Sequence, residues 1–244
     1  MSKLNHIFAQ PEHVEGVGNI YPILLKDYDE FDECSKILYI SKNHFVETEL
    51  PLLALLYLSH EQLGYSLQDL LISLERLFTL VAREKMDFYA VDENLYIFAN
   101  ETQDRIVDFS NYEQVRKIIM KQNLMFEQKV YKNPKVQEWA MKVIKAKQKN
   151  APNITVEDMI TTVSGYKHIH YDEMQERYTV YQLYADFYRY RKTKRHDSDV
   201  IFRSVGDERT IEDFAESLDL FHNPYDDLFV SKDKLGKLNQ VLKQ

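Results

Sequence analysis

The sequence predicts a mainly α protein, a helical bundle with a small β-hairpin or sheet in its N-terminal half. Three observations predict it. Apolar residues recur at steps of three and four along most of the chain, the period of a helix with one face buried. Only 6 glycines and 6 prolines occur in 244 residues, too few for a many-turned β-sandwich. At one place, Asp87 to Phe98, the helical period gives way to two short aromatic runs around Asp92-Glu93-Asn94, a hairpin signature.

Taken in order, residues 1–18 show no periodicity and read as a loose arm. Asn19 to Leu25 reads as a short strand, confined to an edge by Pro22. Asp27 to Ile40 is a helix: Phe31, Cys34, Ile37 and Leu38 form its stripe, and early acids suit its dipole. Leu50 to Leu63 is a second, with Pro51 in its first turn. Ser66 and Asp69 resemble a capping box that opens a third, faced by Leu70, Leu74, Leu77, Phe78 and Val81. After the hairpin, Ile106 to Phe109 supplies a third strand, and Ser110-x-x-Glu113 restarts helix. Asn133-Pro134 is a strong start, leading Val136, Trp139, Ala140 and Val143 as a packed stripe opposite Lys135, Lys142, Lys145, Lys147 and Lys149. Thr155-x-x-Asp158 begins a short helix that Gly165 breaks. Asp197 to Val205 reads as a connector with a strand at Val200 to Phe202. Thr210-x-x-Asp213 begins a helix faced by Ile211, Phe214, Leu218 and Phe221, and Asn223-Pro224 begins the last turns.

Between those pieces lies the most unusual stretch, Tyr171 to Tyr190. Six of its residues are tyrosines (171, 178, 181, 184, 188, 190). Apolar or aromatic residues cover most of its helical circumference, leaving one wet line: Gln175, Thr179, Gln182, Asp186, Arg189. A helix of that kind belongs inside a bundle. The alternative is a partner-binding face, with Tyr178, Tyr181, Tyr184 and Tyr188 as candidates, because tyrosine is common at interfaces.

Charge divides the chain unevenly. Residues 1–110 hold 8 Lys+Arg against 19 Asp+Glu, whereas residues 112–149 hold 10 against 3. Arg189 to Arg195 adds five cations without an acid. The charge and the period both change near residue 110, the one boundary the sequence offers between an acidic part, 1–110, and a helical part, 111–244, with one continuous domain as the alternative. Opposite charges of this kind favour self-association, with Lys142, Lys145 and Lys149 as candidate contacts. The lone Cys34 cannot form an internal disulfide, and no apolar run reaches the length of a membrane span. A soluble protein without membrane contact is expected.

Chemistry is sparse. His168-x-His170 with Asp172 and Glu173 is half of a metal site and nothing completes it. Cys34 sits on an apolar stripe, which fits a buried thiol better than a nucleophile. No phosphate loop, dinucleotide fingerprint or nucleophile elbow occurs. The expectation is a protein without catalytic, cofactor or metal residues. Lysines of 112–149 beside Trp139 or Tyr131 leave nucleic acid as a weaker possibility, against an overall pI near 5.5.

Three pieces carry a resemblance: residues 20–45, YTVYQLYADFYRY (178–190) with VEDMITTVSGYKHIHYDEM upstream, and FAESLDLFHNPYDDLF (214–229). Together they resemble proteins from the tail gene modules of phages and prophages of Gram-positive bacteria, and among them the tail assembly chaperones. The resemblance implies a mainly helical, non-enzymatic protein of the host cytoplasm. Its partners would be the tape-measure protein, which such chaperones coat, and the tail-tube protein that displaces them. A connector or baseplate protein is the alternative within phages, and a nucleic-acid-binding accessory protein using 112–149 the alternative outside that role.

Overall fold

A computed structural model describes residues 4–45, 49–127, 129–131, 133–150, 152–206, 208, 210–223 and 226. The N-terminal arm is structured, contrary to the reading of 1–18 as loose. A single helical turn, α1 (Leu4–Ile7), precedes a hairpin of β1 (Glu12–Val14) and β2 (Gly18–Ile20), paired antiparallel with Glu12 opposite Ile20. Gly18, at φ +90°, lets the chain turn where Arg105 packs against it. Strands of three residues are too short to show a period, so the pattern was invisible. The strand expected at Asn19 to Leu25 ends at Ile20, before Pro22, which has no N–H for a ladder.

From Leu25 the chain coils into a 3₁₀ turn, α2 (Tyr28–Cys34) and a second 3₁₀ turn ending at Tyr39. Next come α3 (Leu52–Leu58) and α4 (Leu67–Ala82), around which the first core is built. Ser66 caps α4 as expected, its Oγ accepting from the Asp69 N–H at 3.0 Å. Leu70, Leu74, Leu77, Phe78 and Val81 are buried against Phe31, Cys34, Leu53, Leu56 and Tyr57. The expected hairpin follows: β3 (Asp87–Asp92), β4 (Leu95–Ala99) and β5 (Ile106–Val107) form an antiparallel sheet in that order. Asn94 takes φ +59° at the turn, a conformation asparagine tolerates.

Helix α5 (Tyr112–Gln122) closes this core. Its cap is the residue after the expected Ser110, because Asp108 Oδ1 accepts from the Ser110 and Asn111 N–H groups and shifts the start to Asn111. Buried polar side chains along it and at its C-cap tie down distant backbone. Arg116 Nε donates to Leu38 O at 2.8 Å, and its guanidinium also pairs with Glu127. Gln122 Nε2 donates to Ile20 O at 3.0 Å, and Asn123 Oδ1 accepts from Ile23 N at 3.1 Å. Tyr112, Val115 and Ile119 lie in the same cluster as α4, so the charge boundary near residue 110 is not a packing boundary.

A second, smaller core joins α7 (Val156–Lys167), α8 (Tyr171–Arg177) and α9 (Val180–Ser204) through Met159, Val163, Met174, Leu183 and Phe187. Between the two cores, α6 (Pro134–Asn150) starts at Asn133-Pro134 as read. Helix α7 starts at Thr155 as expected, where Thr155 and Asp158 form a capping box. Gly165 does not break α7, since an interior glycine costs only about 1 kcal/mol against alanine and packing outweighs it. The helix stops instead at His168, which is left-handed at φ +56°.

The tyrosine stretch is two helices, not one. Thr179 is fully buried and caps α9: its Oγ1 accepts from Gln182 N while Gln182 Oε1 accepts from Thr179 N. The extended residues there pair with the start of the first core, Leu25 N to Tyr178 O at 2.9 Å and Val180 N to Ile23 O at 3.2 Å. Those bonds hold the two cores together. Helix α9 then continues through Asp197 to Ser204, where a connector and strand were expected, because neither glycine nor proline interrupts it before Gly206. Residues 210–223 are not helical, and Pro224 lies outside the described residues. Among the described residues, no helix is long and apolar enough to cross a membrane.

Candidate partner-binding faces

The wet line read along the tyrosine stretch turns out to be covered. Gln182 Nε2 donates to Ile7 O at 2.7 Å, which docks α1 on α9. Lys167 Nζ reaches Asp186 at 2.5 Å and Tyr178 Oη at 3.2 Å, which docks α7. Arg189 Nη1 donates to the carbonyls of Phe214 at 2.6 Å and Glu216 at 3.0 Å. Of the five polar residues, only Gln175 is exposed.

The cover over Arg189 is residues 211–221, an irregular strap running antiparallel to α9. Glu212 sits against Arg195 at 3.7 Å, and its carbonyl accepts from His196 Nδ1 at 2.7 Å. Glu216 pairs with Lys192 at 2.8 Å. Phe214 meets the edge of His196, and Phe221 stacks on Tyr181 beside His6. The helix expected from Thr210 does not form, for two reasons. Asp213 and Asp219 bond the N–H groups of Ala215 and Phe221, a local alternative to helix. About a dozen residues are also too few for an unsupported helix, and Arg189 binds carbonyls that a helix would need.

Between strap, α1 and α7 lies a solvent-open cleft of about 480 Å³ lined by Ile7, Tyr178, Tyr181, Asp186 and Leu218. The candidate tyrosines divide around it. Tyr181 is buried, Tyr178 and Tyr184 are half-buried, and Tyr188 is the exposed one. Burial raises the hydroxyl pKa of Tyr178, Tyr181 and Tyr184, that of Tyr184 to about 12, so these groups remain neutral donors.

The second face is α6. Trp139, expected to pack, is 50 % exposed, and Met141 is 37 % exposed. Among the described side chains of α6, Ala140 alone is buried. Lys142, Lys145 and Lys149 all point to solvent, Lys142 holding Glu138 one turn away at 2.7 Å. The apolar stripe follows the helical period, yet Trp139 stays half exposed on it. Among the described residues, no ion pair joins 1–110 to 112–149.

Other candidates do not converge. His168 caps α7, and the exposed His170 meets Asp172 at 3.3 Å. Among the described residues, no group of three or more His, Cys, Asp or Glu side chains could hold a metal ion. Cys34 is buried, its thiol pushed up by burial to about 12. The strap was the feature missed in the sequence. Its signal was charge: an acidic segment, 212–219, following five cations at Arg189 to Arg195.

Over 227 residues the chain is 23 % identical to the SPbeta prophage-derived uncharacterized protein YomV of Bacillus subtilis (strain 168), covering 91 % of each chain. No solved structure matches the chain. A family model described as the YomV second domain matches residues 146–219, from the end of α6 through α7, α8 and α9 into the strap. Over most of its length, then, the chain is similar to a prophage-derived protein.

Proposed function

We propose that the protein is a non-enzymatic phage assembly protein acting as a tail assembly chaperone, which holds the tape-measure protein in the host cytoplasm until tail-tube subunits polymerise around it. The observation that carries this reading is α6, with Trp139 and Met141 exposed on a helix whose lysines face solvent. A holdase needs an apolar or aromatic face for an amphipathic helical client, and acidic charge elsewhere for solubility. Both are present, and the similarity to a prophage-derived protein fits the same setting. The lysines of α6 make no ion pair with the acidic 1–110 of their own chain among the described residues, which leaves them for a second copy or a client.

The test is co-expression with a tape-measure protein of a phage of Gram-positive bacteria. Wild-type chain should keep it soluble, and a Trp139→Glu, Met141→Glu double variant should not. Equal precipitation with either would refute the reading. The exposure of Trp139 one turn from Lys135 and Lys142 also favours a second reading, base stacking on single-stranded nucleic acid. A salt-dependent oligonucleotide shift, with no effect on the tape-measure protein, would select it.

A further inference from the structure

The strap on α9 is a ligand seated in its own binding groove. Its acids meet cations (Glu216 on Lys192, Glu212 on Arg195), its backbone carbonyls meet Arg189, and Phe221 fills the aromatic end against Tyr181. The hold is light, because residues 212–217 are exposed throughout and the Glu212–Arg195 pair is exposed on both sides, where such pairs contribute little. To reach this seat the chain must reverse direction between Ser204, the last residue of α9, and Ile211. Gly206, at φ +99°, lies in that reversal.

Next to the reversal, the end of α9 and its C-cap expose large apolar residues. Ile201 is 65 % exposed and Val205 78 % exposed. They are four residues apart and so share a face. Lys192 lies nine residues before Ile201, half a turn out of phase, which puts this apolar face on the side of α9 away from the strap. Ile201 and Val205 thus stay exposed at the helix end while the strap folds back on the other side.

We propose that the groove on α9 receives residues 211–221 of a second copy, so that straps exchange between chains. In the exchanged form each strap makes the same contacts as at home, and the gain is burial of Ile201 and Val205 where the copies meet. Seven residues from Ser204 to Ile211 can span up to ~24 Å, against a helix diameter of about 10–12 Å, so the reach suffices. The occupant is protein and not nucleic acid because the groove grips carbonyls and an aromatic ring as well as carboxylates. This assignment concerns α9 and stands whatever α6 binds.

Cross-linking between singly substituted full-length chains tests it. Chains carrying Lys192→Cys are mixed with chains carrying Glu216→Cys and joined by a short bis-maleimide, with Cys34 inert through burial. Exchange predicts a covalent pair of two chains whose yield rises with protein concentration and falls when Phe221→Ala is added to the Glu216→Cys chain. The double variant Lys192→Cys, Glu216→Cys supplies the control. If it links only within one chain at every concentration and the mixture yields no pair, the strap is fixed at home and the proposal fails. Absence of any link in both would remove the groove itself. Loss of the pair on adding an oligonucleotide that occupies the groove would give it to phosphate and equally overturn the proposal. Should circular dichroism show either variant unfolded, His196→Cys with Glu212→Cys repeats the test one turn away.

Discussion

Phe221 lies stacked on Tyr181, ring centroids 5.6 Å apart and planes 24° from parallel. The contact joins the strap to the tyrosine-rich helix α9, and His6 of the N-terminal arm touches both rings. Both ends of the described chain therefore meet on one side of α9. Removing the Phe221 ring should release the strap while leaving the two cores intact. For this half-buried residue, Phe221→Ala should cost about 1–2 kcal/mol, below the range for a fully buried ring. Limited proteolysis should show faster cleavage within 210–223 with the helical circular dichroism unchanged.

Docking of the arm should weaken in acid. Burial, helped by Lys121, lowers the pKa of His6, so the fold disfavours protonation of this imidazole. The unfolded chain binds the proton more readily, and stability from His6 is complete above its ordinary pKa of about 6.5 and declines as pH falls through it. His6→Phe keeps the ring contacts with Tyr181 and Phe221 and removes the titration. The difference in melting temperature between wild type and His6→Phe should grow in favour of the variant between about pH 6.5 and pH 5.

Cys34 should prove structural. It is buried among Phe31, Ile37 and Leu38, and its Sγ donates to Phe31 O at 3.6 Å. Cys34→Ala should cost about 1 kcal/mol through a small cavity and leave partner binding intact. In the native protein its thiol should react with maleimide only as fast as the fold opens. Rapid labelling, or loss of binding in a folded variant, would reopen a reactive role.

Reversing Lys142, Lys145 and Lys149 to Glu should weaken self-association and client binding without unfolding the chain. All three are exposed, and among the described residues Lys142 pairs with Glu138 while Lys145 and Lys149 make no ion pair. Acids near the C-terminal end of α6 oppose its dipole, a local cost of about 0.3–1 kcal/mol. Sedimentation at low and moderate salt should show a wild-type oligomer that dissociates with salt, and a variant insensitive to it. An oligomer indifferent to both would assign these lysines no part in assembly.

Features with a local cause were legible in the sequence. Ser66 with Asp69, Thr155 with Asp158 and Asn133-Pro134 each start a helix here, because the caps satisfy nearby N–H groups, whereas the same Thr-x-x-Asp pattern at Thr210 does not. The Asp92-Glu93-Asn94 turn needs only its own residues. Features decided by distant contacts were not legible. The break at Tyr178 and Thr179 keeps the apolar steps in phase, so only the Thr179-x-x-Gln182 box betrayed it. The strap carries a helical pattern, yet its carbonyls go to Arg189, about 25 residues earlier. Trp139 follows a sound apolar period, yet it stays half exposed on a helix where Ala140 alone of the described side chains is buried.

Trp139 is the single tryptophan of the chain, so its emission reports on α6 alone. Titrating soluble helical fragments of a tape-measure protein while recording that emission is the most direct test of the proposed function. The account predicts a saturable blue shift as the half-exposed indole is covered, lost on Met141→Glu and weakened by the triple lysine reversal. Emission that stays at its solvent-exposed position, while the fragments aggregate as fast as they do alone, would contradict it.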